Sequence, residues 1–110
     1  MSLKPESSFH VSGIGRWLAS LDPDGVFQRI ERDEVCAVYF ESGAGPFGFD
    51  WWIVEGPTPD ARCCFPLGAT GETEAVDWLK QLPGFEIKGM NSTGVARFLC
   101  WSSDGAGGGQ

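Results

Sequence analysis

Two tryptophans stand next to each other in residues 48–56, GFDWWIVEG. The segment is rich in aromatic and β-branched residues, which is typical of a strand. Because neighbouring side chains on a strand point to opposite faces, Trp51 and Trp52 are predicted to have different surroundings. The expected core face holds Trp51 with Phe47, Phe49 and Ile53. Trp52 then shares the other face with Asp50, and another molecule is expected to cover it.

Turn-forming residues divide the neighbouring sequence into short segments. Residues 35–41, VCAVYFE, are apolar on both faces and β-rich, which indicates a strand covered on both sides. The segments 47–55 and 61–67 follow as a second and a third strand, after breaks at 43–46 and 56–60 that contain glycine and proline. Three short strands joined by turns predict an antiparallel meander.

The N-terminal third is predicted to be helical. Residues 11–21 place apolar residues at helical spacing. These residues are Val11, Ile14, Leu18 and Leu21. The following Asp22-Pro23 supports two alternatives: a second helix that ends near residue 32, or a turn leading into a strand over 26–30. We expect the helix.

The clearest helix covers residues 72–82, with acidic residues at its start and Pro83-Gly84 after its end. Two further strands are expected over 85–90 and 94–102. The order is therefore helix, three strands, helix, two strands. This order predicts an α+β fold with one mostly antiparallel sheet of about five strands packed against two or three helices.

The domain organisation follows from length and composition. A chain of 110 residues is the size of one domain. Residues 11–102 are expected to form a single α+β domain. Residues 1–10 are expected to be a flexible N-terminal arm, and the glycine-rich residues 103–110 a flexible tail.

Charge limits the classes of partner. Fifteen acidic residues against eight basic ones give a formal net charge of −7. Coulomb repulsion argues against nucleic acid and against an anionic membrane as partners. A basic protein partner fits this charge, and an acidic mimic of nucleic acid is a further alternative.

Location and cofactors are predicted from the apolar runs and the cysteines. The first residues carry no apolar stretch typical of a signal peptide, and no run approaches the roughly twenty residues of a membrane span. We therefore expect a cytoplasmic protein. The adjacent Cys63 and Cys64 diverge on a strand, and the chain has a single histidine and no Cys-x-x-Cys spacing. No metal or cofactor is expected, although a thiol enzyme that pairs His10 with Cys63 or Cys64 stays an alternative.

A binding surface is predicted on one face of the sheet. Five tryptophans and eight phenylalanines exceed what a minimal core needs. If the second faces of the strands coincide, they form one patch of aromatic residues with an Asp–Arg pair, which is the composition of binding hot spots. The patch consists of Tyr39, Asp50, Trp52, Arg97 and Trp101.

These features together favour a non-enzymatic protein-binding module that acts as an inhibitor, immunity protein or chaperone, or that forms a homodimer. The order of elements, the length and the acidity over 11–102 resemble those of the small dimeric chaperones of type III secretion, with no shared residue motif. A small-molecule binder with a pocket lined by Trp and Phe is the second class, and a thiol-dependent enzyme is the third.

Overall fold

The part of the chain that the structure describes forms two antiparallel sheets and one α-helix. The computed structural model describes residues 8–43, 50–89 and 94–103. The elements are β1 (His10–Ile14), β2 (Trp17–Leu21), β3 (Phe27–Glu31), β4 (Ala37–Ser42), β5 (Trp51–Glu55), β6 (Arg62–Pro66), α1 (Glu72–Leu79) and β7 (Ala96–Ser102), with a short 3₁₀ helix at Arg32–Glu34.

The first sheet has the order β1-β2-β3. Gly15 makes the tight β1–β2 turn with a φ of 60°, which glycine adopts without strain. The Asp22 carboxylate accepts the main-chain N–H of Asp24 and of Val26, at 2.9 and 2.8 Å, and so fixes the β2–β3 turn. Leu18 and Ile30, opposite each other in the register, point into the core.

The helix predicted over 11–21 is therefore wrong, and so is the helix preferred for the segment after Asp22. The apolar positions suit a helix only by spacing, because the strands bury Val11 and Leu18 and expose Ile14 and Leu21. The turn-and-strand alternative is confirmed, since β3 covers most of the segment 26–30.

The second sheet has the order β6-β5-β4-β7, and every neighbouring pair is antiparallel. A β-bulge shifts the β4–β7 register between Val38 and Tyr39. The inner face supplies most of the core. Its fully buried side chains are Val38, Phe40, Trp52, Val54, Cys63 and Phe65.

Helix α1 closes the core against the first sheet. Trp78 is 2% exposed, and its indole N–H donates to the Gly15 carbonyl oxygen at 2.9 Å. A Cβ on Gly13 would lie 2.5 Å from the Trp78 Cβ, so only glycine allows this close approach of strand and helix. The helix predicted over 72–82 is confirmed, although it ends at Leu79.

The two sheets meet at β6. The Cys64 main-chain N–H, at the edge of the second sheet, donates to the Gln28 side-chain oxygen at 2.9 Å. The contacts of β6 with β2 and β3 continue this junction. Residues of both sheets and of α1 therefore belong to one hydrophobic core.

The expected fold class, α+β with one sheet of about five strands and two or three helices, is wrong. The described residues form seven strands in two antiparallel sheets with a single α-helix, so the fold is mostly β. The strand predicted over 85–90 is also missing from 85–89. The order of elements differs in the same way from the one on which the resemblance to type III secretion chaperones rests, so that resemblance no longer supports a function.

Several expectations fall outside the described residues. They are the arm over 1–7, most of the tail over 103–110, the start of the second predicted strand at 47–49 and residue 90. The described helix is neither long nor apolar enough to cross a membrane.

Candidate functional site

Trp52, predicted on the exposed face, is 0% exposed. Its indole N–H donates to a Glu72 carboxylate oxygen at 3.2 Å, at the start of α1. Three rings surround the indole, with centroids 5.0, 6.5 and 6.1 Å away: Phe40, Phe65 and Phe85. The domain's own core and helix cover Trp52, so it contributes nothing to an exposed patch.

Trp51 lies on the opposite face, as the pleat requires, and is partly exposed. The Phe9 ring meets it edge-on with centroids 5.4 Å apart. The tandem therefore separates into an inner and an outer ring, but the expected assignment of the two is reversed.

Trp101 and Asp50 hold local structure. The Trp101 indole N–H donates to the Pro83 carbonyl oxygen at 2.7 Å, and the ring packs against the core. An Asp50 carboxylate oxygen accepts the Gly43 main-chain N–H at 2.8 Å. Neither side chain contacts Tyr39 or Arg97 in the part of the chain that the structure describes.

Tyr39 and Arg97 are the two predicted binding residues that do meet. The Arg97 guanidinium lies 4.5 Å from the Tyr39 ring centroid, and its Nε–H donates to a Glu41 carboxylate oxygen at 2.5 Å. Ile53, opposite Tyr39 in the register, is only 6% exposed. On this outward face the Arg97 charge is paired and Ile53 is covered, whereas Leu99, opposite Tyr39, is 46% exposed. A binding role for Tyr39 and Arg97 stays a prediction.

The outward side of the first sheet is different. We call it the N-terminal face, and its side chains alternate with the buried ones along β1, β2 and β3. The face consists of His10, Ser12, Ile14, Trp17, Ala19, Leu21, Phe27, Arg29 and Glu31. Ile14, Phe27 and Leu21 are 73%, 59% and 42% exposed, so no described part of the chain covers this face.

On the N-terminal face, Trp17 lies between Ile14 and Glu31 at the end next to the β1–β2 turn, and Arg29 lies in the neighbouring row. The Arg29 guanidinium lies 4.8 Å from the Trp17 ring centroid, and Trp17 is still 40% exposed. Arg16 makes an ion pair with Glu31 at 3.0 Å beside them. An exposed Trp stacked on Arg, with Ile14 beside it and further exposed apolar side chains on the same face, has the composition of a protein-binding hot spot.

The thiols have partners other than His10. Burial raises the pKa of Cys63 to about 12, although the Ser20 hydroxyl offsets part of the effect. Burial also raises the pKa of Cys64, whose sulfur accepts an Arg62 guanidinium N–H at 3.3 Å. Because the thiolate is the nucleophile, a raised pKa leaves little of the reactive form near neutral pH.

Several cavities are lined by described residues. Three of them enclose about 190 to 210 Å³. A fourth, of about 350 Å³, is lined by the β5–β6 turn with Pro57, Pro59 and Arg62. Ligand pockets usually enclose about 300 to 1,000 Å³ and are mostly apolar. Of these four cavities only the last reaches that size, and an exposed turn with charged residues lines it, so they give little support to a small-ligand site. Within the described residues, no three His, Cys, Asp or Glu side chains are grouped as metal ligands.

No family model, curated protein or solved structure matches the chain. The function is therefore inferred from the geometry of the chain itself.

The N-terminal face was not predicted from the sequence, because residues 11–21 were assigned to a helix. Two signals point to a hairpin there. Gly13 and Gly15 are unfavourable in a helix interior, and Gly15-Arg16 fits a two-residue turn. With a turn at that place, alternation puts Trp17 and Leu21 on one face and Leu18 on the other, as the structure shows.

Proposed function

We propose that the protein is a non-enzymatic protein-binding module that docks its partner on the N-terminal face. The observation that carries this proposal is the exposure of Ile14, Phe27, Leu21 and Trp17 on one side of one small sheet. Singly exposed apolar residues are common, but two cross-strand pairs of them on one small face, beside a stacked arginine, are typical of a docking site. Removal of these side chains from water would supply most of the binding energy.

The partner is a basic protein, and the module acts as an inhibitor, an immunity protein or a chaperone. The net charge of −7 supports this proposal, because opposite charge accelerates association and like charge slows it. Nucleic acid and anionic membranes are not partners. The raised pKa of the Cys63, Cys64 and Cys100 thiols supports a role without thiol catalysis.

We also propose a cytoplasmic location. All four cysteines are free thiols. Thiols persist in a reducing compartment, whereas extracellular proteins of this size often pair them.

A matched pair of leucines tests the proposal. Leu21 lies on the N-terminal face and is 42% exposed, whereas Leu99 lies on the outward face of the second sheet and is 46% exposed. A photo-crosslinking residue at position 21, and in a separate variant at position 99, identifies partners of each face. The captured protein is then purified and titrated by calorimetry against the wild type, Leu21→Ser and Leu99→Ser.

The proposal predicts a partner that crosslinks to position 21 and binds Leu21→Ser at least about tenfold more weakly, a loss of about 1.4 kcal/mol or more. Leu99→Ser binds like the wild type. A partner that crosslinks only to position 99 and loses affinity only with Leu99→Ser would move the docking site to the face of Tyr39 and Arg97.

A further inference from the structure

The main chain of β3 has one side turned away from its sheet. The Asp22 N–H donates to the Val26 oxygen at 3.0 Å, and the Arg32 N–H to the Arg16 oxygen at 2.7 Å. Main-chain groups in an antiparallel strand point alternately to its two sides. The groups of Gln28 and Ile30, like those of residues 26 and 32, therefore face β2. Those of Phe27, Arg29 and Glu31 face away.

Part of this outer edge is open. The Glu31 N–H is capped by a Glu34 carboxylate oxygen at 3.1 Å. In the described parts of the chain, the outward N–H and C=O groups of Phe27 and Arg29 make no hydrogen bond. A strand edge of this kind is a template for pairing with another chain.

Each of the other three sheet edges has at least one outward main-chain group that is bonded within the chain. At β1 the Val11 N–H donates to the Thr70 carbonyl oxygen at 2.9 Å, and at β7 the Cys100 carbonyl oxygen accepts the Glu86 N–H at 3.0 Å. At β6 the outward Cys64 N–H donates to the Gln28 side-chain oxygen, and Pro66 lacks an N–H donor. Among the described edge strands, β3 has two successive outward-facing residues, Phe27 and Arg29, whose main-chain groups on that side make no hydrogen bond.

A cavity lies beside this open edge. Gln28 of β3 and Val26, which precedes the strand and is 55% exposed, line a cavity of about 190 Å³ together with Ser20, Asp22, Trp51 and Cys64. Phe9 adds a second aromatic wall. A side chain of an added strand that points inward would stand over this cavity, whereas its neighbours would lie on the N-terminal face beside Phe27 and Arg29.

We propose that an extended segment of a basic partner protein pairs with β3 as a fourth strand of the first sheet and places one apolar side chain in this cavity. Main-chain hydrogen bonds to Phe27 and Arg29 then give affinity, and the cavity gives side-chain specificity. This inference depends on the proposed protein-binding function and specifies how the partner binds.

Charge around the edge favours a cationic segment over a second copy of the chain. Between residues 22 and 34 the acidic side chains are Asp22, Asp24, Glu31, Asp33 and Glu34, against Arg29 and Arg32. An antiparallel copy would bring the Asp22–Asp24 turn of one chain beside Asp33 and Glu34 of the other. Like charges opposite each other on paired strands are unfavourable.

A synthetic probe tests this mode of binding on the full chain. The peptide alternates lysine and valine around one central phenylalanine, and its twin has the same sequence with N-methyl groups on alternate amides. Both are titrated into the ¹⁵N-labelled protein and followed by the amide shifts of Phe27 and Arg29. Because N-methylation keeps the charge but removes main-chain donors, the twin should bind at least about tenfold more weakly.

Two substitutions at one position separate main chain from side chain. Arg29→Pro removes the outward N–H without removing any β2–β3 hydrogen bond, whereas Arg29→Ala removes only the side chain. The proposal predicts that Arg29→Pro binds the peptide at least about tenfold more weakly than Arg29→Ala does. The amide spectrum of each variant shows whether the fold is retained. If Arg29→Pro does not fold, the N-methylated twin alone decides.

Other outcomes overturn strand addition. They are equal binding of the twin, no binding of the unmodified peptide, or shifts at Phe27 and Arg29 that depend on the concentration of the protein alone and indicate a second copy. If any of these is found while the crosslinked partner still loses affinity for Leu21→Ser, the protein-binding function stands and only the mode of binding is wrong.

Discussion

The outward faces of the two sheets differ in how much of their charged and apolar surface is paired or covered by neighbouring side chains of the same chain. On the second sheet, Arg97 is bound to Glu41 and lies over Tyr39, while Ile53 at the centre is 6% exposed. On the N-terminal face, Phe27 remains 59% exposed and Trp17 40%, although Arg29 stacks on the indole.

Both faces therefore contain an aromatic ring under an arginine, and residue type alone does not distinguish them. The difference lies in the apolar area left in water around that pair and in the strand edge beside it. This area and edge, rather than the aromatic–arginine pair, indicate that the N-terminal face binds another molecule.

The largest expected effect tests whether the tandem tryptophan belongs to the core. Trp52→Ala removes a fully buried ring and its bond to Glu72, and should lower the free energy of unfolding by about 3–5 kcal/mol. Urea unfolding followed by circular dichroism measures the loss. Trp17→Ala is the matched control, with a loss below about 1 kcal/mol. Similar losses for both would remove the distinction between core and exposed face.

A second effect tests whether the Cys63 side chain on β6 is buried in the core. Because burial raises the pKa of Cys63 to about 12, above that of a thiol in the unfolded chain, the folded protein keeps a proton that the unfolded chain loses. Its stability is unaffected below the unfolded pKa and falls as the pH rises from there towards the folded pKa, by about 1.4 kcal/mol per pH unit for each such thiol.

The measurement compares wild type and Cys63→Ala by urea unfolding at pH 8 and pH 10. The wild type should lose more stability between these two values than the variant does. Equal losses would show that the Cys63 thiol is not buried as described.

A smaller effect is expected for the ion pair on the second sheet. Arg97 and Glu41 have half-exposed and mostly buried side chains, respectively, so solvent screens part of their attraction. A double-mutant cycle of Arg97→Met and Glu41→Gln should give a coupling energy of about 0.5–1 kcal/mol. A coupling energy of zero would mean that Arg97 and Glu41 do not stabilise each other, and the outward face of the second sheet would then not differ from the N-terminal face in this respect.

The smallest effect on stability concerns the matched leucines. Leu21→Ser and Leu99→Ser should each change the free energy of unfolding by less than about 1 kcal/mol, since both side chains are already exposed by similar fractions. The same unfolding assay measures both. A large loss for Leu21→Ser alone would assign Leu21 a role in the fold and weaken its use as a binding probe.

The sequence predicted those elements whose hydrophobic pattern fits only one type of secondary structure. The helix with Trp78 on its inner side and the strands β4, β6 and β7 follow from apolar runs bounded by turns. The first sheet was not predicted, because the spacing of its apolar residues fits one helix as well as it fits two short strands. These residues are Val11, Ile14, Leu18 and Leu21. Only the turn at Gly15 distinguishes the two.

The site was predicted less well for a related reason. Alternation separates Trp51 from Trp52, but it does not say which face a helix covers. That choice depends on where α1 lies, and Glu72 at its start binds the Trp52 indole. The β-bulge in the β4–β7 register also puts Trp101 on the inner side, opposite Val38, away from the face of Tyr39 and Arg97.

Amide hydrogen exchange in the free protein tests the open edge most directly. The account predicts rapid exchange of the Phe27 and Arg29 amides, which point away from β2, and slow exchange of the Gln28 and Ile30 amides between them. If all four amides were equally protected at a concentration where the chain is a monomer, the β3 edge would be covered by the chain itself. The proposed mode of docking would then be wrong.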